Sequence, residues 1–304
     1  MELASTGAGR LRDTLSNQHL MILGDPGAGK TTFLRWISHT LCGDRLGETE
    51  DAVKKYLGFK TDDMPVLVSI ADWLEHIACT REKHDGSFPS KKDDPQWLTH
   101  YLGTQCDSLE QGLDAVWFRK QLRIGNILIL LDGLDEATDR EARELAVALI
   151  EKVARAFADC RIVVTSRPAG HQGTTTLNGF ELTRIAPLND AAVATFIDRW
   201  SRALHPGNHR AAKRHRNDLQ ANLNALPSIR RMARNTVMLT ALAVVHYNEK
   251  RLPEQRAELY ESILTWLARS REERPGRPRA EQCLEILREL ALAITPLPGV
   301  TIPL

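Results

Sequence analysis

"HLMILGDPGAGKTT", residues 19–32, is the stretch on which the fold turns. An apolar run, His19–Leu23, has the length and make-up of a buried strand. It passes directly into a glycine-rich loop: Gly24, Asp25, Pro26, Gly27, Ala28, Gly29. Lys30, Thr31 and Thr32 follow and open the amphipathic stretch "TTFLRWISHTL". Strand, glycine loop, lysine, threonine, helix is the context that G-x-x-x-x-G-K-[ST] requires. Glycines let the backbone curl so that several N–H groups face one anion. The helix adds the positive end of its dipole. Lys30 would reach the outer phosphates of a nucleotide, and the Thr31 hydroxyl would ligate magnesium. A glycine-rich turn that binds nothing is the plainer alternative, and it leaves the lysine and both threonines without a purpose.

A second stretch supplies the expected complement. In "NILILLDGLDEA", residues 126–137, the apolar residues Ile127–Leu131 lead into Asp132, Asp135 and Glu136. Carboxylates so close raise one another's cost of ionisation, and a nearby cation relieves it. Asp132, at the strand end, is placed to hold magnesium through water. Asp135 and Glu136 lie where a carboxylate could orient or deprotonate an attacking water. Glu136 has a plainer alternative as an acid favoured at a helix start. A third stretch, "VVTSRP" (163–168), ends a strand at Thr165-Ser166 and presents Arg167. That arginine could read the terminal phosphate, or be a surface residue before a proline turn.

Five runs in all read as strands: 19–23, 65–70, 127–131, 161–166 and 180–185. Helical patterns separate them, which predicts a parallel α/β sheet. After the acids, Thr138 and Glu141 form a capping-box signature, and Ala142, Leu145, Leu149, Val153 and Phe157 recur at helical spacing. Residues 81–95 read as an exposed loop. Beyond residue 186 the strand pattern stops. Asn189 and Asp190 offer caps for an amphipathic helix, and further helical patterns follow. Residues 271–281 read as a loop or linker, and "TPLPGVTIPL" as an interrupted domain.

The chain has 304 residues, 40 Lys plus Arg against 39 Asp plus Glu, 42% hydrophobic and 26% charged residues. That balance is globular and excludes a protein basic throughout. Five scattered cysteines with no CxxC pair favour neither a disulfide framework nor zinc, and fit a reducing cytoplasm. Neither a signal peptide nor a membrane-length apolar run is evident. The basic run "HPGNHRAAKRHRNDLQ" (205–220) lacks stacking aromatics, so it reads as a solvated helix face and no nucleic-acid partner is expected.

Together, "GDPGAGKTT", "LILLDGLDEA", "VVTSRP" and the later "RNTVMLTALAVVHYNEKRLPEQRAELYE" resemble a NACHT domain, of the STAND class of signalling ATPases related to AAA+ proteins. The resemblance runs from about residue 15 to at least residue 268. It implies a P-loop α/β domain over 1–186, a helical domain over 187–250, and the start of a winged helix over 251–304. It places "RIVVTS" between the phosphate-loop strand and "ILILL". Carried over by position, Gly24–Thr32 bind ATP or ADP, Thr31 and Asp132 hold Mg2+, Asp135 and Glu136 serve hydrolysis, and Arg167 is the sensor. ADP would hold a closed monomer, and ATP would open it to self-association, as in immune or anti-phage signalling through separate sensor and effector parts.

The sequence departs from the family where Asn235-Thr236 stands for the usual Asn-Pro, and where no winged-helix histidine follows His246. Neither an effector domain nor a repeat array is recognisable, which is consistent with a fragment or a core that works with partners. Alternatives to the switch are a turnover AAA+-like motor and a truncated NACHT core acting as a nucleotide-binding scaffold. No N-K-x-D base-reading motif points to GTP.

Overall fold

The computed structural model describes residues 11–15, 17–58, 63–82, 88–107, 112–137, 139–168, 176–249, 251–272 and 279–294. The chain divides into two compact units, Met1–Ala186 and Pro187–Leu304.

In the first unit a short helix, α1 (Leu11–Leu15), precedes β1 (His19–Leu23), α2 (Lys30–Arg45) and a single π turn at Val53–Leu57. Then come β2 (Met64–Ser69), α3 (Ile70–Glu82), α4 (Gln96–Cys106), α5 (Ala115–Arg123) and β3 (Ile127–Asp132). A 3-10 turn at Leu134–Glu136, α6 (Arg140–Ala156), β4 (Arg161–Ser166) and β5 (Glu181–Arg184) complete it. The five strands form one sheet in the order β2-β3-β4-β1-β5. Every pairing is parallel, so all five carboxyl ends share one edge.

Alternate side chains of each inner strand enter opposite cores, as the pleat requires. Met21, Leu23, Ile129, Leu131, Ile162 and Val164 pack with α3 through α6. Leu20, Ile22, Leu128, Leu130 and Val163 pack with α1, α2 and the π turn. This double coverage is why 127–131 and 162–164 are apolar at every residue. The strand predicted at 65–70 ends one residue early. The Ser69 hydroxyl accepts from the Asp72 N–H at 3.2 Å and starts α3, so Ile70 is helical. The strand predicted at 180–185 is narrower, Glu181–Arg184, and its exposed pattern suits a sheet edge. The cap of α6 also shifts by one residue. Asp139, not Thr138, caps it, accepting from the Ala142 N–H at 2.8 Å. Thr138 itself lies outside the described residues, as do 83–87 of the expected loop at 81–95, 273–278 of the expected linker, and 295–304.

Among its described residues, the regular elements of the second unit are all helices: α7 (Asp190–Leu204), α8 (His209–Ala225), α9 (Pro227–Met232), α10 (Thr236–Glu249), α11 (Arg256–Glu272) and α12 (Ala280–Ile294). Ile197, Leu219, Leu223, Leu239, Leu242 and Leu259 form its core. Asn189 caps α7, accepting from the Ala192 N–H at 2.7 Å. Asn235 caps α10, accepting from the Val237 N–H at 3.0 Å and the Met238 N–H at 3.2 Å. Thr236 is the first residue of that helix, a position that also suits proline. In the basic run, Arg216 pairs with Asp198 of α7, which Arg202 also reaches. Among the described residues no helix is long and apolar enough to cross a membrane.

Candidate functional site

The carboxyl edge of the sheet gathers the three sequence stretches. β4 lies between β1 and β3, so the loop after β1 and the acids after β3 flank the tip of β4. In open parallel sheets this edge is where ligands bind.

The loop after β1 is built from the residues the pattern named. The Gly24 N–H donates to the Ser166 carbonyl at 3.1 Å, tying the loop's start to β4. The Asp25 carbonyl accepts from the Ala28 N–H at 3.0 Å, closing a turn over Pro26. Gly27 and Gly29 have φ of 74° and 92°, in the left-handed region that a side chain disfavours. Helix α2 begins at Lys30, with Gly29 in the capping position and no side-chain cap. By contrast, α5, α6, α7 and α8 each start beneath an Asp or Asn side chain. A helix start without its own acceptor is suited to an anion. Lys30 Nζ donates to the Gly24 carbonyl at 2.7 Å and the Asp25 carbonyl at 3.3 Å, so its charge lies within the loop. Burial pulls its ammonium below the ordinary lysine range, and Asp135 is the strongest opposing influence. Thr31 and Thr32, in the first turn, are exposed.

Thr31 meets the acids directly. Its hydroxyl donates to Asp132 Oδ2 at 2.6 Å. These are two hard oxygen donors from segments 101 residues apart, side by side at the sheet edge. The pair fits magnesium, which takes few protein ligands and keeps waters and phosphate oxygens for the rest. Asp135 does something different. It accepts from the Arg167 N–H at 2.9 Å and pairs with Arg167 Nε at 2.9 Å. The Asp135 side chain is 9% exposed and that of Arg167 31%. Glu136, the last residue of the turn, stays exposed. Desolvation, then Asp135 and Asp132, push its carboxyl above the ordinary glutamate range. Gly133 makes that placement possible: its φ is 80°, and a Cβ there would lie 2.8 Å from Glu136 Cδ.

The edge therefore brings together Lys30, Thr31, Asp132, Asp135, Glu136 and Arg167. Two features escaped the sequence reading. Thr165 belongs to no motif, although a polar residue near the end of a buried strand is a usable signal. Leu15, Leu20, Ile22, Phe33 and Ile185 line an apolar pocket that Ala28 and Gly29 border. Its walls come from separate segments, and no local pattern marks them.

The sequence matches the model of the NACHT domain over residues 18–203. No curated protein matches the chain. Among solved structures it is similar to AMPPCP-bound DnaA from Aquifex aeolicus, at 11% identity and TM-score 0.38, over 93% of this chain and 86% of that one. It is similar to domain III of the Thermotoga maritima replication initiation protein DnaA, at 12% identity and TM-score 0.40, over 80% and 83%. It is similar as well to Cdc6p from Pyrobaculum aerophilum, at 14% identity and TM-score 0.32, over 93% and 82%. These likenesses are loose, and the assignment rests on the sequence match. Spanning more than half of the chain, that match and the phosphate loop within it make this protein a member of the NACHT family of P-loop NTPases.

Proposed function

We propose that the protein is an ATP-binding, slowly hydrolysing signalling switch, held closed by ADP and released by ATP to self-associate. The observation that carries the nucleotide reading is the contact of Thr31 with Asp132, beside a phosphate loop that holds its own lysine. In this reading Gly24–Thr32 cradle the phosphates and Lys30 turns from the loop carbonyls to their oxygens. Thr31 and Asp132 would hold Mg2+, which when bound neutralises phosphate charge. The apolar surface beside Ala28 and Gly29 would offer the base a wall to pack against.

Hydrolysis divides between the other two acids. Glu136, exposed and with its proton affinity raised, is the better base for an attacking water. Asp135 is committed to Arg167 and sets where that guanidinium sits. Arg167 would then stabilise charge on the terminal phosphate. Switching, rather than steady turnover, is supported by NACHT membership. A role in immune or anti-phage signalling, inside the cytoplasm, rests on the same kinship. Residues 187–250 then serve as the helical domain and 251–304 as the entry to a winged helix.

The test is the nucleotide that leaves the untreated protein on denaturation, identified by chromatography. Near-stoichiometric ADP is expected, with Thr236 in place of proline. An empty site, together with rapid multiple turnover of added ATP, would overturn the switch and favour a freely cycling ATPase.

A further inference from the structure

Thr165 is fully buried at the tip of β4. The parallel register sets Val164 level with Leu131, which brings Thr165 alongside Asp132. Its hydroxyl donates to Asp132 Oδ1 at 2.5 Å and accepts from the Gly133 N–H at 3.0 Å. One hydroxyl thus uses its single proton and one lone pair on two consecutive residues of the acidic turn. With Oδ1 tied inward, Asp132 presents Oδ2 to Thr31 at 2.6 Å. Without that tie, the carboxylate would turn about a broad, weakly restrained torsion.

We propose that Thr165 is a positioning residue that fixes the Asp132 carboxylate toward Thr31, so that the magnesium-dependent part of nucleotide affinity depends on its hydroxyl. The inference rests on the nucleotide reading above and adds a residue to it. The same hydroxyl steadies Gly133, whose carbonyl accepts from the Glu136 N–H at 2.9 Å. Two positions on, Arg167 holds Asp135. The tip of β4 therefore sets two of the three acids directly and the turn that carries the third.

The experiment compares equilibrium binding of a fluorescent ATP analogue with magnesium and with EDTA, using the full chain. Thr165→Val removes the hydroxyl and keeps the shape. Its affinity in EDTA should match the wild type, while the gain on adding magnesium falls about 10-fold or more, as for loss of other partners that orient metal ligands. Thr165→Ser keeps the hydroxyl and should keep the full gain. A valine variant with the wild-type gain overturns the proposal. So does a serine variant that loses it, even if the valine variant cannot be purified. Equal binding by the wild type and Lys30→Ala would instead sink the phosphate-loop reading, and the task of Thr165 with it.

Discussion

The two units use polar side chains in different ways. In the α/β unit one set converges on a single edge: Thr31 on Asp132, Thr165 on Asp132, Asp135 on Arg167. In the helical unit they lie along helix flanks. Ser201 of α7 bonds His215 of α8 at 2.8 Å, and His246 of α10 lies 3.1 Å from Asp218 of α8. Ser201 and His246 are each 1% exposed. The difference follows from chain direction. Parallel strands all point the same way, so every loop after a strand delivers its residues to one edge, and those residues can meet one ligand. Packed helices meet along their sides, so a polar pair there satisfies two helices locally. Convergence at an exposed edge supports chemistry, whereas a pair along helix flanks supports packing.

This contrast can be broken, and the largest effect is expected at the edge. Lys30→Ala should weaken ATP binding by about 100-fold or more, since a charged hydrogen-bond partner of the phosphates is lost. Calorimetry showing wild-type affinity would remove the edge's claim to be a site. Glu136→Gln should leave that affinity in place and slow single-turnover hydrolysis about 100-fold or more. If the rate is unchanged, the role of base moves to Asp135. Gly133→Ala puts a side chain where φ is 80° and against Glu136. It should cost about 1–2 kcal/mol in chemical denaturation and lower turnover as well.

The helical pair should respond otherwise. Ser201→Ala should cost about 1 kcal/mol of stability and leave ATP affinity at the wild-type value. A matching loss of affinity would show that the flank contacts are not confined to packing. The smallest effect concerns pH. Because the folded protein raises the Glu136 pKa, ionisation of this group opposes folding. Its contribution to stability is whole below the unfolded value, about 4.3, and is lost as pH rises through the folded value. Glu136→Gln should therefore raise Tm slightly at pH 7, with the gain vanishing below about pH 4. A gain of equal size at both pH values would mean that charge is not its cause.

How much of this was legible depends on how far apart the partners lie in the chain. Gly24 to Thr32 form the loop through their own backbone and the helix they open, so their sequence carries the loop. Asp132 was legible because an apolar run ends at it. Asn189 was legible as a cap because capping acts within three residues. Asp139 was missed by one residue because Thr138 fits the capping pattern equally well. Asp135 and Glu136 could not be told apart, since both follow β3 with nothing local to divide them.

The sequence alone determined the parallel α/β class, the phosphate loop, the acidic strand end and the family. Each is written in contiguous residues whose spacing is itself the physics. Tertiary structure alone decided which partner each acid meets. Asp135 is taken up by Arg167, 32 residues on; Asp132 is clamped by Thr165, 33 residues on, and faced by Thr31, 101 residues back. Those meetings depend on strand order and register, which bring distant residues to one edge, and a sequence read locally does not contain them.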